Sequence, residues 1–127
     1  MQYSADYDSR FDPAMPMVDL TISGPDKNLS ITRLALVDSG ADATILSQVD
    51  LQRLGADLIG WGRMVGVSGN SQRVPIYAVQ LAIGQIELGT VRVLGYRTTE
   101  NPILGRNILN QLIVTLNGLA QVTEITQ

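Results

Sequence analysis

Histidine and cysteine are both absent from the 127 residues of this chain. Without cysteine there can be neither a disulfide nor a thiol nucleophile. Without histidine, Ser-His-Asp and Cys-His catalysis lack their base, and zinc hydrolases lack their usual ligands. Acid–base chemistry must therefore come from carboxylates, tyrosine, a cofactor or the single lysine, Lys27. Carboxylates can perform it where their surroundings separate their pKa values.

Long apolar runs and dense positive charge are also missing. No stretch approaches the roughly 20 apolar residues that cross a bilayer, and the polar, acidic start of the chain is unlike a signal peptide. The net charge is −3 and the arginines are isolated, which disfavours binding to a phosphate backbone. We therefore expect no nucleic acid partner, no membrane partner and a cytoplasmic location.

The length of the chain fits one compact domain. Residues 1–16 carry several aspartates, two prolines and little periodicity, so we interpret them as a polar arm that is extended or partly mobile, with processing left open. Residues 17–127 form the predicted domain, because short alternating apolar segments and turn signals begin at Met17. Many short strands at this spacing are typical of a mainly β sandwich or barrel.

Two short helices and one hairpin turn are predicted from local signals. Ser47 is a good N-cap for a helix over 48–54, and Gly55 fits the position just after its end. A second short helix is predicted over 107–112. Asn117-Gly118 lies between two alternating segments, which is a strong hairpin signal.

Asp38 stands at the end of the apolar segment 34–37 and is followed by Ser39 and Gly40. Asp-Ser-Gly is common turn chemistry, in which the aspartate caps its own backbone. A carboxylate at a buried strand end is nevertheless costly unless it is paired, hydrogen-bonded or protonated. These residues alone are compatible with a turn or with a functional carboxylate.

The wider segment Leu36-Val37-Asp38-Ser39-Gly40-Ala41-Asp42 resembles the signature of the retropepsins, the aspartic proteases of retroviruses and their single-domain bacterial relatives. A second retropepsin signature resembles Ile103-Leu104-Gly105-Arg106-Asn107, about 65 residues further on. The glycine-bearing segment 61–79 between them fits the hairpin called the flap. The resemblance covers roughly residues 17–125 and implies a closed-barrel or sandwich acid protease fold.

The resemblance also implies an aspartic endopeptidase that cleaves extended peptides with a preference for hydrophobic residues, without metal or cofactor. In this mechanism two carboxylates lie at the same water molecule and share one proton. The chain has only one Asp-Ser-Gly, because Asp8-Ser9 is followed by Arg10, so the second carboxylate must come from a second copy in a homodimer. The implied site consists of Asp38 as the catalytic residue, Ser39 and Gly40 as its support, Ala41, Asp42, Val67, Ser68 and Gly69 against the substrate, and an ion pair between Asp42 and Arg106.

Two other interpretations stay open. The same fold could serve as a dimerising or peptide-binding module with little or no proteolysis. Alternatively, an unrelated β-barrel interaction domain would use Asp38 as a turn residue only. Trp61 could line a subsite of the flap, although packing in the core is the expected role.

Overall fold

The computed structural model describes residues 1–97 and 100–127, and within them strands and short helices alternate in one mainly β unit. The elements in chain order are β1 (Gln2–Asp6), β2 (Met17–Ser23), β3 (Ser30–Val37), β4 (Ile45–Ser47), α1 (Gln48–Arg53), β5 (Asp57–Val65), β6 (Ser71–Ile83), β7 (Ile86–Tyr96), β8 (Ile103–Leu104), α2 (Arg106–Leu109), β9 (Ile113–Asn117) and β10 (Val122–Thr126).

The strands form two sheets. A seven-stranded sheet has the order β2-β3-β8-β4-β7-β6-β5, and an additional pairing of β2 with β6 folds it back on itself. A three-stranded sheet has the order β1-β10-β9. Most pairs are antiparallel, but β3 with β8 and β4 with β7 are parallel. The predicted mainly β fold with two short helices is confirmed.

The core lies inside the folded-back sheet and is filled by alternate residues of its strands. Val18, Leu20 and Ile22 of β2 are completely buried, whereas Asp19 between them is exposed. This alternation places one face of each strand against the core and the other outside it. Burial of such aliphatic side chains is the main favourable contribution to folding.

The caps of α1 agree with the prediction. The Ser47 hydroxyl accepts a hydrogen bond from the Asp50 amide, at 3.4 Å. The helix ends one residue earlier than predicted, and Gly55 has a φ of 62°. The Gly55 and Ala56 amides donate to the carbonyls of Gln52 and Leu51, so left-handed backbone at Gly55 closes the helix end. The second helix, α2, begins one residue earlier than predicted and has four residues.

Three local predictions differ from the structure. The arm predicted over 1–16 contains β1, which pairs with β10 along its whole length, so its first residues belong to a sheet. The hairpin predicted at Asn117-Gly118 is present as the antiparallel pair of β9 and β10, but its connection is longer than predicted and consists of residues 118–121, of which Gln121 has a φ of 55°. Trp61 is 51% exposed and stacks under the guanidinium of Arg73, 4.4 Å from the ring centre, so the expectation that it packs in the core is wrong.

Candidate active site

The two sequence signatures lie side by side in the sheet. Strands β3 and β8 are parallel partners, with Leu36 opposite Ile103 and Val37 opposite Leu104. The amide of Asp38 donates to the Leu104 carbonyl at 3.1 Å and so continues the ladder beyond the end of β3. Asp38 is therefore held at the end of the parallel pair of strands β3 and β8.

The carboxylate of Asp38 is fixed by a tight turn. Its Oδ1 accepts a hydrogen bond from the Gly40 amide at 2.9 Å, and its carbonyl accepts one from the Ala41 amide at 3.2 Å. Asp38 is half-buried, whereas Ser39 and Gly40 are exposed. This is the turn that Asp-Ser-Gly favours, and it also leaves a positioned carboxylate next to solvent. The same turn is therefore expected whether Asp38 is only a turn residue or a catalytic carboxylate.

Gly105 allows the two signatures to approach each other at backbone distance. A Cβ atom at Gly105 would overlap the carbonyl carbon and oxygen of Ala43 and would lie 2.9 Å from its amide nitrogen. Just beyond, the Arg106 amide donates to the Ala41 carbonyl at 2.8 Å. A side chain at Gly105 would therefore push apart the segments that follow Asp38 and Leu104.

Thr44 connects the same segments through its side chain, and sequence reasoning did not identify it. Its hydroxyl is fully buried, donates to Asn107 Oδ1 at 2.7 Å and accepts from the Gly105 amide at 3.1 Å. Asn107 Nδ2 in turn donates to the Arg92 carbonyl at 3.0 Å. A threonine beside a short strand carries no sequence signal that distinguishes this bridge from ordinary strand composition.

We expect Thr44→Val to lower the free energy of unfolding by about 1–3 kcal/mol, because the buried Gly105 amide and the Asn107 oxygen lose their partner. Thr44→Ser keeps the hydroxyl and should retain most of the stability. Urea unfolding of both variants measures the difference. Equal midpoints for the two variants would show that the bridge contributes nothing.

The predicted ion pair between Asp42 and Arg106 is wrong for this structure. In the described part of the chain the ion pairs join Arg10 with Asp8 and Arg33 with Asp50. Arg106 instead donates from Nη1 to the Ser39 carbonyl at 2.9 Å, and Asp42 is exposed. An exposed carboxylate is solvated by water and does not require a charged partner, whereas the Ser39 carbonyl lies within reach of the guanidinium.

The second of these ion pairs was also missed from the sequence. Arg33 of β3 donates from Nε and Nη2 to both carboxylate oxygens of Asp50, at 2.9 and 3.0 Å. Asp50 lies in the first turn of α1 and is almost completely buried. Its two hydrogen bonds raise the pKa of Arg33. The pair joins α1 to the strand that leads to Asp38.

The predicted flap is a long antiparallel hairpin of β5 and β6, which pair from Asp57 with Ala78 to Val65 with Ser71. At the tip, the Gly66 amide donates to the Asn70 carbonyl and the Gly69 amide donates to the Gly66 carbonyl. Gly69 has a φ of 82°, a conformation that favours glycine. Val67, Ser68 and Gly69 are exposed at this tip, and no hydrogen bond between described residues joins them to the segment 38–42.

Neither a metal cluster nor a membrane-spanning helix is found within residues 1–97 and 100–127. No group of three or more acidic side chains there is close enough to hold a metal ion. The longer helix, α1, has only six residues, and no helix of the described residues is long and apolar enough to cross a membrane.

Three solved structures with a similar fold are described as proteases or as a protease-like domain. A retropepsin-like aspartic protease from Rickettsia conorii is similar over 98% of this chain and 91% of its own, with 17% identity and a TM-score of 0.69. The EIAV protease complexed with the inhibitor HBY-793 is similar over 76% and 86%, with 23% identity and a TM-score of 0.60. The retroviral protease-like domain of Ddi1 from Leishmania major is similar over 82% and 83%, with 17% identity and a TM-score of 0.52.

These similarities define the fold as that of a retropepsin. Residues 30–111, more than half of the chain, match the family described as "gag-polyprotein putative aspartyl protease". The chain belongs to this retropepsin-like aspartic protease family.

Proposed function

We propose that this chain is an aspartic endopeptidase, and that Asp38 supplies one carboxylate of its catalytic pair. The observation that carries the proposal is the position of Asp38. The end of the β3–β8 ladder and the Gly40 amide hold it in place, yet it remains half open to solvent. A fixed carboxylate beside water is what general acid–base hydrolysis requires.

The second carboxylate comes from Asp38 of a second copy. One chain carries Asp-Ser-Gly once, whereas carboxylate-only hydrolysis needs one ionised and one protonated group at the same water. A two-fold axis beside Asp38 brings the two copies together. The pair then shares one proton, and neither carboxylate has a permanent role.

The ionised member of the pair takes a proton from water, and the protonated member polarises the peptide carbonyl. The oxygen of water bonds to the carbonyl carbon while the protonated carboxyl gives its proton to the carbonyl oxygen. The C–N bond then breaks as the amide nitrogen receives the proton that was taken from water, and the pair regains one proton from a hydroxyl of the intermediate, which becomes the new carboxyl group. Ser39 of each copy stiffens the pair across the axis, and Gly40 lets the substrate approach the backbone closely. Asp42 and Ala41 hydrogen-bond to the substrate main chain.

The substrate binds as an extended strand beneath the flap tip formed by Val67, Ser68 and Gly69. Main-chain hydrogen bonds hold it, and alternate side chains enter pockets on either side. Leu36 and Ile103 are half-buried neighbours in the β3–β8 pair next to Asp38. Such apolar walls favour hydrophobic residues at the cut.

Cleavage of a peptide library across pH, with and without pepstatin, tests the proposal. We expect endoproteolysis that pepstatin inhibits. Sedimentation should show a concentration-dependent dimer. Peptide binding without any cleavage would replace the protease by a binding module of the same fold, and a strict monomer with full activity would exclude the shared pair.

A further inference from the structure

The hairpin of β5 and β6 carries two arginines and no acidic side chain along most of its length. Residues 58–78 contain Arg63 and Arg73 but neither Asp nor Glu, although the whole chain has a net charge of −3. Both arginines are exposed, and no ion pair between described residues involves either of them. The hairpin is therefore a positively charged part of an acidic protein.

The two arginines are directly opposite each other in the ladder, where Arg63 is the register partner of Arg73. Like charges at opposite positions destabilise an antiparallel pair. Each guanidinium is nevertheless held by a neighbour: Arg63 Nη1 donates to Ser71 Oγ at 3.1 Å, and Arg73 lies 4.4 Å from the ring centre of Trp61. Neither contact neutralises a charge, so an anion between the arginines would relieve their repulsion.

This charged face of the hairpin points away from the proposed catalytic site. Gly62 lies on the opposite face, where a Cβ atom would be 3.5 Å from Leu94 Cδ2. From Leu94 that face continues through register partners in β4, β8 and β3 to the strand end at Asp38. Because successive side chains of a strand alternate between its faces, Trp61 and Arg63 point away from Asp38, and so does the partner of Arg63 in β6.

The backbone of β5 offers a free edge beside this face. β5 is the last strand of the seven-stranded sheet, and β6 is its only partner among the described residues. It has nine residues, of which Leu58, Ile59, Trp61 and Val65 are exposed apolar side chains. A strand edge with unpaired amides and carbonyls is a template for the backbone of another chain. An extended peptide can therefore add to this edge as a further strand.

We propose that the outer face of the hairpin, formed by Trp61, Arg63 and Arg73, binds an extended acidic peptide segment of another protein. The segment pairs with the free edge of β5, and alternate carboxylates reach the two guanidinium groups, to which they form charge-assisted hydrogen bonds. The Trp61 ring supplies an apolar contact beside them. Because this face is separate from Asp38, the inference goes beyond the proposed protease function and does not depend on it.

The fluorescence of Trp61 tests the proposal, because it is the only tryptophan of the chain. The probe is a peptide of about nine residues, the length of β5, in which Glu and Val alternate, so that its carboxylates share one side when it is extended. Asp38→Asn protein is used, so that the probe is not cleaved. We expect a saturable change in fluorescence, with an affinity that falls as the ionic strength rises.

Three further peptides separate charge from strand pairing. Gln or Lys in place of every Glu should weaken binding at least about tenfold, because the carboxylates are removed. Pro in place of every Val leaves the carboxylates but removes backbone N–H donors, and this peptide should also bind at least about tenfold more weakly.

Variants of the two arginines locate the site. Arg63→Gln and Arg73→Gln, made in the Asp38→Asn protein, should each lower the affinity for the Glu peptide about fivefold. Arg53→Gln is the matched control, because it makes the same change at an exposed position in the last turn of α1. It should bind the Glu peptide as tightly as the parent protein.

Four results would overturn the inference. The first is the absence of binding, both in Trp61 fluorescence and in isothermal titration calorimetry. The second is equal affinity for the Glu and Gln peptides, or for the Glu peptide and its Pro version. The third is an equal loss in Arg53→Gln and in the hairpin variants. The fourth is inorganic polyphosphate that binds as tightly as the Glu peptide and displaces it, since this would show a general anion site without strand pairing.

Discussion

Asp38→Asn is expected to lower kcat/KM for peptide cleavage by about a thousandfold or more, because an amide can neither take a proton from water nor share one with its partner. The substitution should not disturb the fold. The Gly40 amide donates to Asp38 Oδ1 at 2.9 Å, and the side-chain oxygen of an asparagine can accept the same hydrogen bond. Unfolding in urea should therefore match wild type, and the loss would be chemical rather than structural.

Asp57→Asn is the control for this variant, because it makes the same change at an exposed position at the start of β5. It should cleave peptides at the wild-type rate. If Asp38→Asn and Asp57→Asn both retain activity, Asp38 is only a turn residue and the protease proposal is wrong.

Mixing the two kinds of subunit tests whether two chains build one site. An equal amount of Asp38→Asn protein, added under conditions of subunit exchange, should lower the activity of wild type to about one half, because half of its subunits enter mixed dimers. A site contained within one chain predicts no change. Asp57→Asn protein, added in the same amount, should raise total activity instead of lowering it.

Gly105→Ala is expected to destabilise the protein by about 3 kcal/mol and to remove most of its activity. The new methyl group would overlap the carbonyl group of Ala43. Backbone cannot rotate away as a side chain can, so the segment after Asp38 must move. That movement strains the bond from the Arg106 amide to the Ala41 carbonyl and the bridge through Thr44.

Gly118→Ala is the matched control, since a Cβ atom there meets nothing within 4 Å and Gly118 has no positive φ. Urea unfolding and peptide cleavage of both variants measure the contrast. A Gly105→Ala protein as stable and active as Gly118→Ala would show that the close approach of the two signatures does not matter.

The sequence predicted the elements near the site because the signals for them are local. The alternation of β2, the N-cap Ser47 and the glycine after α1 each depend on neighbours within a few residues. The hairpin of β5 and β6 was expected from the resemblance to the retropepsin flap, and the two strands are antiparallel partners. The signatures at Asp38 and Ile103 were recognised by resemblance, which also led to the fold.

Pairings of distant residues were predicted poorly. Arg106 was expected to pair with Asp42, yet it donates a hydrogen bond to the Ser39 carbonyl. The ion pair between Arg33 and Asp50 was not predicted at all. Each charge had several possible partners, and the choice among them depends on where the backbone brings them together. Trp61 was expected in the core because aromatic residues favour burial, but β5 lies at the edge of its sheet.

By itself, the sequence determined that this protein is mainly β, that its acid–base chemistry cannot use histidine or cysteine, and that one chain carries one Asp-Ser-Gly. Only the tertiary structure decided that β3 and β8 are neighbours, that Gly105 packs on Ala43, and that the Val37 amide donates a hydrogen bond to the Pro16 carbonyl. Local patterns set the period of a strand and the type of a turn. Contacts between residues far apart in the chain arise only when packing of the whole core places the strands side by side.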